Sequence, residues 1–375
     1  MTLITPAGRP DLVGLEPEPM AELLSAHFAA RGQASFRTAQ VAGWIFGRDA
    51  GGFHEMTDLP LSERKALEGA FGFTAPASER VSRSSDGTVK QLWKLAKGEL
   101  IESVLIPARD RLTLCLSSQA GCALACTFCA TGWLGYQRQL TAGEIVAQYR
   151  GARRWAREHG YGEISHLVFM GMGEPLVNRK AVMPALSILN RGHSLGARRI
   201  TVSTVGIVPG ILELAGRPEQ YRLAVSLHAP NHELRQELIP VEKKYPLPEL
   251  LEALRVFERA GGRRVTFEYV MISGVNDAPE LADELALLVA EFRAHVNLIP
   301  YNPIPGRSWS ASPPERLRDF RIRLEERGVP ASVRRPRGRD ISAACGQLKA
   351  EYEAKPHSPL GWGDQSAPRI TVTSR

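Results

Sequence analysis

The stretch C115-L-S-S-Q-A-G-C122-A-L-A-C126-T-F-C129-A-T-G132 holds four of the chain's five cysteines in eighteen residues, and the fifth, Cys345, follows more than two hundred residues later. Cys122, Cys126 and Cys129 form C-x-x-x-C-x-x-C, with small residues between them that let the backbone wrap around a bound group. The run "LTLCLSS" just before reads as a strand, so the motif lies in the loop that follows a strand. Three thiolates are one too few for a closed structural zinc site, which takes four ligands, so an open coordination position is implied. The spacing suits three irons of a [4Fe-4S] cluster whose fourth iron is free to chelate a small molecule. The alternative is a zinc site completed by Cys115 or by a histidine.

Outward from this loop, short apolar runs alternate with helix-like segments. "HLVFM", "RRITVS", "YRLAVSL", "RRVTFEYVMI" and "HVNLIPYN" follow "LTLC", and stretches such as "TAGEIVAQYRGARRWAREHG" lie between them. Six strands in βα alternation predict an α/β fold, a partial (βα)6 barrel, over residues 108–350. Its βα loops then gather reactive groups at the carboxyl ends of the strands. "GMGEP", Ser203, "SLH" and Asn302 all fall at those ends. Glycines in "GMGEP" allow close approach of backbone to ligand, and Glu174 is suited to accept from an amino-acid ammonium, although a turn after a strand favours the same residues.

Residues 1–80 read as a small helical domain whose Leu23, Leu24, Phe28, Val41, Trp44 and Ile45 recur at helical spacing and are expected in a core. Residues 81–107 read as a connecting antiparallel hairpin around Asp86-Gly87 and Gly98. Residues 351–375 lack periodicity and are expected to form a flexible tail.

Lys and Arg number 47 against 40 Asp and Glu, a net charge of +7 that favours a polyanionic partner without proving one. No window carries the uninterrupted apolar run of a membrane span, and the N-terminus lacks a secretory signal, so a soluble cytoplasmic protein is expected. Clustered cysteines in such a chain suggest metal or redox chemistry before structural disulfides. "VRRPRGRD", four arginines just before Cys345, suits either phosphate binding or a solvated basic loop.

Taken in order, "FRTAQVAGWIF", "FHEMTDLP", "CALACTFCATG", "GMGEPL", "SLHAPN", "KKYPL" and "RGRDISAACGQL" resemble the RlmN/Cfr family of radical S-adenosylmethionine (SAM) adenosine methyltransferases, most closely its RlmN branch. The resemblance spans nearly the whole chain, and Tyr136 and Gln139 of "GYQRQL" are mild departures. It implies a [4Fe-4S] cluster on Cys122, Cys126 and Cys129 and two SAM molecules per turnover, with SAM contacts at Gly173, Glu174, Ser203, Ser226, Leu227, His228 and Asn302. It implies that Cys345 carries the methyl group, that Cys115 resolves a protein–RNA adduct to leave a Cys115–Cys345 disulfide, and that Glu102 accepts a proton. From the strand pattern alone Glu102 reads as an exposed glutamate.

The resemblance further implies methylation of adenosine carbon 2 in 23S rRNA and beside the tRNA anticodon, with carbon 8 as the Cfr-type alternative. An electron donor of the flavodoxin or ferredoxin kind, no membrane partner and a monomeric state are expected. The rival from another class is a non-catalytic RNA-binding protein with structural zinc.

Overall fold

The computed structural model describes residues 8–261 and 264–348. The tail expected over 351–375 lies outside the described residues.

The N-terminal helices are α1 (Pro17–Ala30), α2 (Phe36–Ala42) and α3 (Leu61–Ala70). Proline at the first position of α1 supplies the φ a helix start needs, where its missing N–H costs nothing. Met20, Leu24 and Phe28 recur every four residues and bury one face against Val41, Ile45 and Leu67, a core separate from that of the sheet. Leu23 and Trp44, expected in this core, are only partly buried at its edge. Trp44 is drawn outward because its indole Nε1 donates to Asp58 at 2.6 Å.

Three antiparallel strands follow, β1 (Ala77–Arg83), β2 (Val89–Lys94) and β3 (Leu100–Ala108). The connecting segment is therefore a three-stranded meander rather than one hairpin. Its first strand, "ASERVSR", has few apolar side chains and is held by pairing with β2. β3 pairs antiparallel with β4 (Arg111–Cys115), from which the chain enters the barrel.

Beyond β4 a small ribbon of β5 (Gln119–Gly121) and β6 (Tyr136–Gln139) brackets the cysteine loop and the short helix α4 (Ala130–Trp133). Helix α5 (Ala142–Glu158) starts on a capping box in which Thr141 Oγ1 accepts from Glu144 N–H and the Glu144 carboxylate accepts from Thr141 N–H. Next come β7 (Ile164–Phe169), α6 (Arg179–Ser187), β8 (Ile200–Thr204), α7 (Val208–Ala215) and β9 (Arg222–Ser226). They are followed by α8 (His232–Leu238), α9 (Leu247–Gly261), β10 (Val265–Met271), α10 (Pro279–Val289), β11 (Ala294–Pro300), α11 (Pro314–Glu326) and β12 (Ala331–Val333).

The ten-stranded sheet runs β1-β2-β3-β4-β7-β8-β9-β10-β11-β12. From β4 onward every pairing is parallel, and the six expected barrel strands are present in the expected order. β12 adds a short seventh parallel strand, whose three residues form no apolar run to announce it. Side chains from β7 through β11 line one cavity, so the sheet curls around it as a partial barrel.

Helix α5 fastens the N-terminal helices to the barrel. Past α2 the chain widens into a π turn over Gly43–Gly47, which leaves carbonyls without helical partners. Arg150 Nε donates to Ile45 O at 3.1 Å, and Arg153 donates to Phe46 O at 2.7 Å and to both oxygens of buried Asp49. Replacing Arg153 by alanine would leave the Asp49 carboxylate buried without its closest partner. An Arg153→Ala protein is expected to lose about 3–5 kcal/mol of stability, read from urea unfolding, and a loss under 1 kcal/mol would refute this account of the interface.

Candidate functional site

The cysteine loop is closed at its base by the β5–β6 ribbon. Cys122 N–H donates to Gly135 O at 2.8 Å, and a Cβ on Gly121, whose φ is +76°, would fall 2.0 Å from that carbonyl oxygen. Only glycine fits there. Thr127 N–H reaches Leu238 O at the end of α8, and Cys129 N–H turns back to Cys126 O.

Cys122, Cys126 and Cys129 all line the barrel cavity. Burial pushes the Cys122 thiol up to about 12 and raises Cys126 and Cys129 as well, and neighbouring sulfurs add to the effect for each. Three enclosed thiols that resist ionisation when alone suit a positively charged metal group, which stabilises all three thiolates together. This donor set fits the three irons of a [4Fe-4S] cluster, with cavity space beside it for the ligand of the fourth. Among the described residues no set of three or more His, Cys, Asp or Glu is close enough to hold a single metal ion.

The loop after β7 forms the next wall. Gly173 has φ +94°, and a Cβ there would lie 2.4 Å from the Gln119 side chain, so the loop lies directly on β5. Glu174 is enclosed, and its two carboxylate oxygens accept from Leu176 N–H at 3.1 Å and Val205 N–H at 3.0 Å. Burial outweighs these donors and raises its carboxyl to about 7. The side chain thus ties the β7 loop to the β8 loop while lining the cavity.

Ser203 on β8, Ser226 at the end of β9, His228 and Asn302 line the same cavity. His228 is buried at φ +59°; its Nδ1 accepts from Val270 N–H at 3.0 Å, its ring meets Phe128 edge-on, and burial lowers its pKa to about 3, so the imidazole is neutral. Leu227 is enclosed in the core, and its N–H is engaged by Glu268 O. Its side chain is not among those that line the cavity.

Cys345 also lines the cavity. The segment carrying it is a strap held at both sides. Toward the cysteine loop, Ala130 N–H donates to Gly346 O at 2.7 Å, Thr131 Oγ1 donates to Leu348 O at 2.6 Å, and Asn302 Nδ2 donates to Cys345 O at 3.1 Å. Toward the β1–β2 turn, Asp340 accepts from Ser84 Oγ and Ser85 N–H, and Asp86 accepts from Gly338 N–H at 3.0 Å.

Cys115 closes β4, paired with Val104 on one side and Val168 on the other. Burial pushes its thiol up to about 12, and the neighbouring Cys345 adds to the effect. All five cysteines are free thiols.

Glu102, read from its strand as exposed, is instead only 1% exposed. It sits two residues before Val104 and so shares the face of Cys115. Its charge is met by Lys90 Nζ at 2.9 Å, and the same ammonium donates to Ser342 O on the strap at 3.2 Å. Strand alternation cannot show this burial because a second layer, the strap, covers the face.

The four arginines of "VRRPRGRD" divide. Arg334 lines the cavity near Glu268, Arg339 donates to Asn302 Oδ1 at 2.9 Å, Arg337 reaches the Asp86 carbonyl, and Arg335 is exposed. Three of the four therefore face protein groups, which narrows any role in phosphate binding. Glu268 and Lys90 were missed, yet each is a charge inside an apolar strand ("VTFEYVM" and "VKQLW"), a signal that points to burial with a purpose.

Three cysteines on a loop after the first strand of a partial barrel, facing polar strand ends, define a radical SAM enzyme. The Radical SAM superfamily model matches residues 116–285, and the ribosomal RNA large subunit methyltransferase N-terminal domain model matches residues 11–71. The "Probable dual-specificity RNA methyltransferase RlmN" of Gemmatimonas aurantiaca is 50% identical over 91% of this chain and 94% of its own length. The "Dual-specificity RNA methyltransferase RlmN" of Anaeromyxobacter dehalogenans is 46% identical over 91% and 92%. A crystal structure of a radical SAM methyltransferase from Sphaerobacter thermophilus superposes with a TM-score of 0.87 at 46% identity, covering 91% of this chain and 99% of that one. The chain belongs to the RlmN family of radical SAM RNA methyltransferases. That family implies SAM, a [4Fe-4S] cluster and RNA substrates. Among the described residues no helix is long and apolar enough to cross a membrane.

Hydrogen bonds from Gly338, Thr88 and Ser84 overcome the opposing effect of burial and hold the Asp86 carboxyl down at about 2. Its folded value lies below the unfolded one, so its contribution is complete above pH 3.8 and is lost as pH falls through about 2. Asp86→Asn should therefore loosen the strap at neutral pH. Allowing for partial exposure, about 1 kcal/mol is at stake, expected as several-fold faster amide exchange over 338–346 and faster alkylation of Cys345. Unchanged exchange would show that the turn does not hold the strap.

Proposed function

We propose that this enzyme methylates carbon 2 of adenosine in 23S rRNA and of the adenosine beside the anticodon in tRNA, using Cys345 as methyl carrier and Cys115 as resolving thiol. The observation that carries the reading is that the strap, tied to the cysteine loop through Ala130 and Thr131, brings Cys345 into the cavity of the three-cysteine loop.

The C–H carbons of adenine are neither acidic nor nucleophilic enough to take a methyl cation, so a radical route is required. Bound SAM and the cluster would supply it as a 5'-deoxyadenosyl radical able to abstract hydrogen. The residues of the chain then have separable tasks. Cys345, the exposed sulfur, takes a methyl group from one SAM by displacement; that methyl loses a hydrogen atom to the radical and joins the adenine ring through its carbon, and the odd electron of the adduct would return to the cluster. Glu102, on the Cys115 face and held by Lys90, receives the proton that leaves the ring carbon. The Cys115 thiolate attacks the Cys345 sulfur; the S–C electron pair returns to the methylene carbon, which takes up a proton to become the methyl group, the methylated base departs, and a disulfide remains that an external donor reduces. Asn302 and the Ala130 and Thr131 donors fix Cys345 during this sequence. The target nucleotide leaves its stack to reach the Cys345 sulfur at the cavity.

Cys115→Ala should trap RNA on Cys345 as an RNase-sensitive band in denaturing gels, whereas Cys345→Ala should abolish methylation with full iron and sulfide content. No band in the Cys115 variant would overturn the adduct scheme. Nucleoside mass spectrometry of rRNA and tRNA from cells with and without the gene should show loss of 2-methyladenosine from both. Loss of an 8-methyl product instead would reassign the carbon.

A further inference from the structure

Across four adjacent parallel strands, one row of the sheet is polar. Ser226 on β9 is the register partner of Glu268 on β10, Glu268 of Asn297 on β11, and Asn297 of Ser332 on β12. Parallel register partners share a face, so these side chains lie side by side. Asn297 Nδ2 donates to Glu268 Oε1 at 3.0 Å, Ser332 Oγ donates to Asn297 Oδ1 at 2.8 Å, and His295 Nε2 completes the chain on Ser332 Oγ at 2.9 Å.

This chain of donors points one way, toward the carboxylate. It fixes the amide of Asn297 and leaves Glu268 with one engaged oxygen and one that is not. Glu268 lines the cavity and is 4% exposed; its Oε2 is shielded from solvent and receives no hydrogen bond. The nearest cation, Arg334 Nη1, lies 3.8 Å from that oxygen, too far for a hydrogen bond but close enough to balance its charge. A buried acceptor without a donor is costly, and one built into an otherwise satisfied row calls for a donor from a ligand.

The geometry points to Glu268 Oε2 as the acceptor for an N–H or O–H donor of an adenosyl group bound in the cavity. Because Arg334 offsets the carboxylate charge, recognition is by a neutral donor such as an exocyclic amine or a ribose hydroxyl rather than by a cation. Carboxylates accept from exocyclic base amines in this way. The surrounding Val205, Val270 and Ile299 supply apolar walls for a flat ring. No part of the sequence reading assigned Glu268, and Asn297 is its positioning residue. The inference rests on the reading of the cavity as the site of adenosine methylation, where the adenosyl group has two sources, SAM and the target nucleotide.

Glu268→Gln replaces one acceptor oxygen by a donor with little change of shape. The test uses the holoenzyme carrying its cluster, with iron content and thermal midpoint as controls. Equilibrium dialysis measures SAM binding, and competition gel shifts compare RNA hairpins carrying adenosine or purine riboside, which lacks the 6-amino group, at the target position. If SAM is the source, its dissociation constant is expected to rise about tenfold or more, the scale of a hydrogen bond to a charged group. If the target base is the source, the wild type prefers the adenosine hairpin and the variant loses the preference. Asn297→Ala should move the same readout by a smaller factor and covers the case in which Glu268→Gln does not fold. Both constants within twofold of wild type would overturn the inference. Failure of wild-type enzyme to methylate either RNA would overturn the proposed function, an outcome scored separately from the two binding arms.

Discussion

The hydrogen bond from Ala130 N–H to Gly346 O joins the loop of three cysteines to the segment that carries Cys345, across more than two hundred residues of chain. Thr131 to Leu348 and Asn302 to Cys345 reinforce it. A metal-binding loop and a reactive thiol on separate loops would drift relative to each other, and displacement on the scale of an ångström is enough to disable a reaction that depends on positioning. Here both are pinned to the same rim. The carboxylates of Asp86 and Asp340 prevent the far side of the strap from lifting, so the position of Cys345 is determined by the first strands as well as by the barrel.

Helix α5 extends this coupling to the rest of the molecule. Gln148 grips both the N–H and the carbonyl of Ser117, two residues after Cys115, and Arg150 and Arg153, one turn apart on the same helix, grip the carbonyls of Ile45 and Phe46 after α2. Arg138 from β6 bridges Glu99 and Glu144 at its start. One helix thus orients the end of β4, the ribbon under the cysteine loop and the N-terminal helices against a common frame. An RNA held by the N-terminal helices would meet the thiols at a fixed offset.

The six barrel strands were legible because parallel strands covered on both sides read as apolar runs, and the cysteine spacing was legible because its chemistry admits few alternatives. What stayed hidden depends on contacts distant in sequence. Glu102 looks exposed until the strap and Lys90 are placed over it. Asn302 carried the expectation of a ligand contact, yet its amide already holds Cys345 O and Arg339. Trp44 has helical spacing but turns outward for Asp58. β12 has too few residues to carry a period. The Glu268 row is visible only once strands from 226 to 332 are brought into register.

Cys115 and Cys345 differ in accessibility, and in the proposed scheme that difference gives the site a direction. Cys115 is enclosed between β3 and β7, whereas Cys345 stands on the exposed side of the strap. In that scheme a reductant thiolate arriving from solution attacks the Cys345 sulfur of the disulfide first and leaves Cys115 as the departing thiolate, inside the fold. A second thiolate of the reductant then attacks the mixed disulfide and releases Cys345, after the inner thiol has already been restored. The barrel wall thereby shields Cys115 from stray oxidants, while Cys345 remains open to molecules arriving from solution.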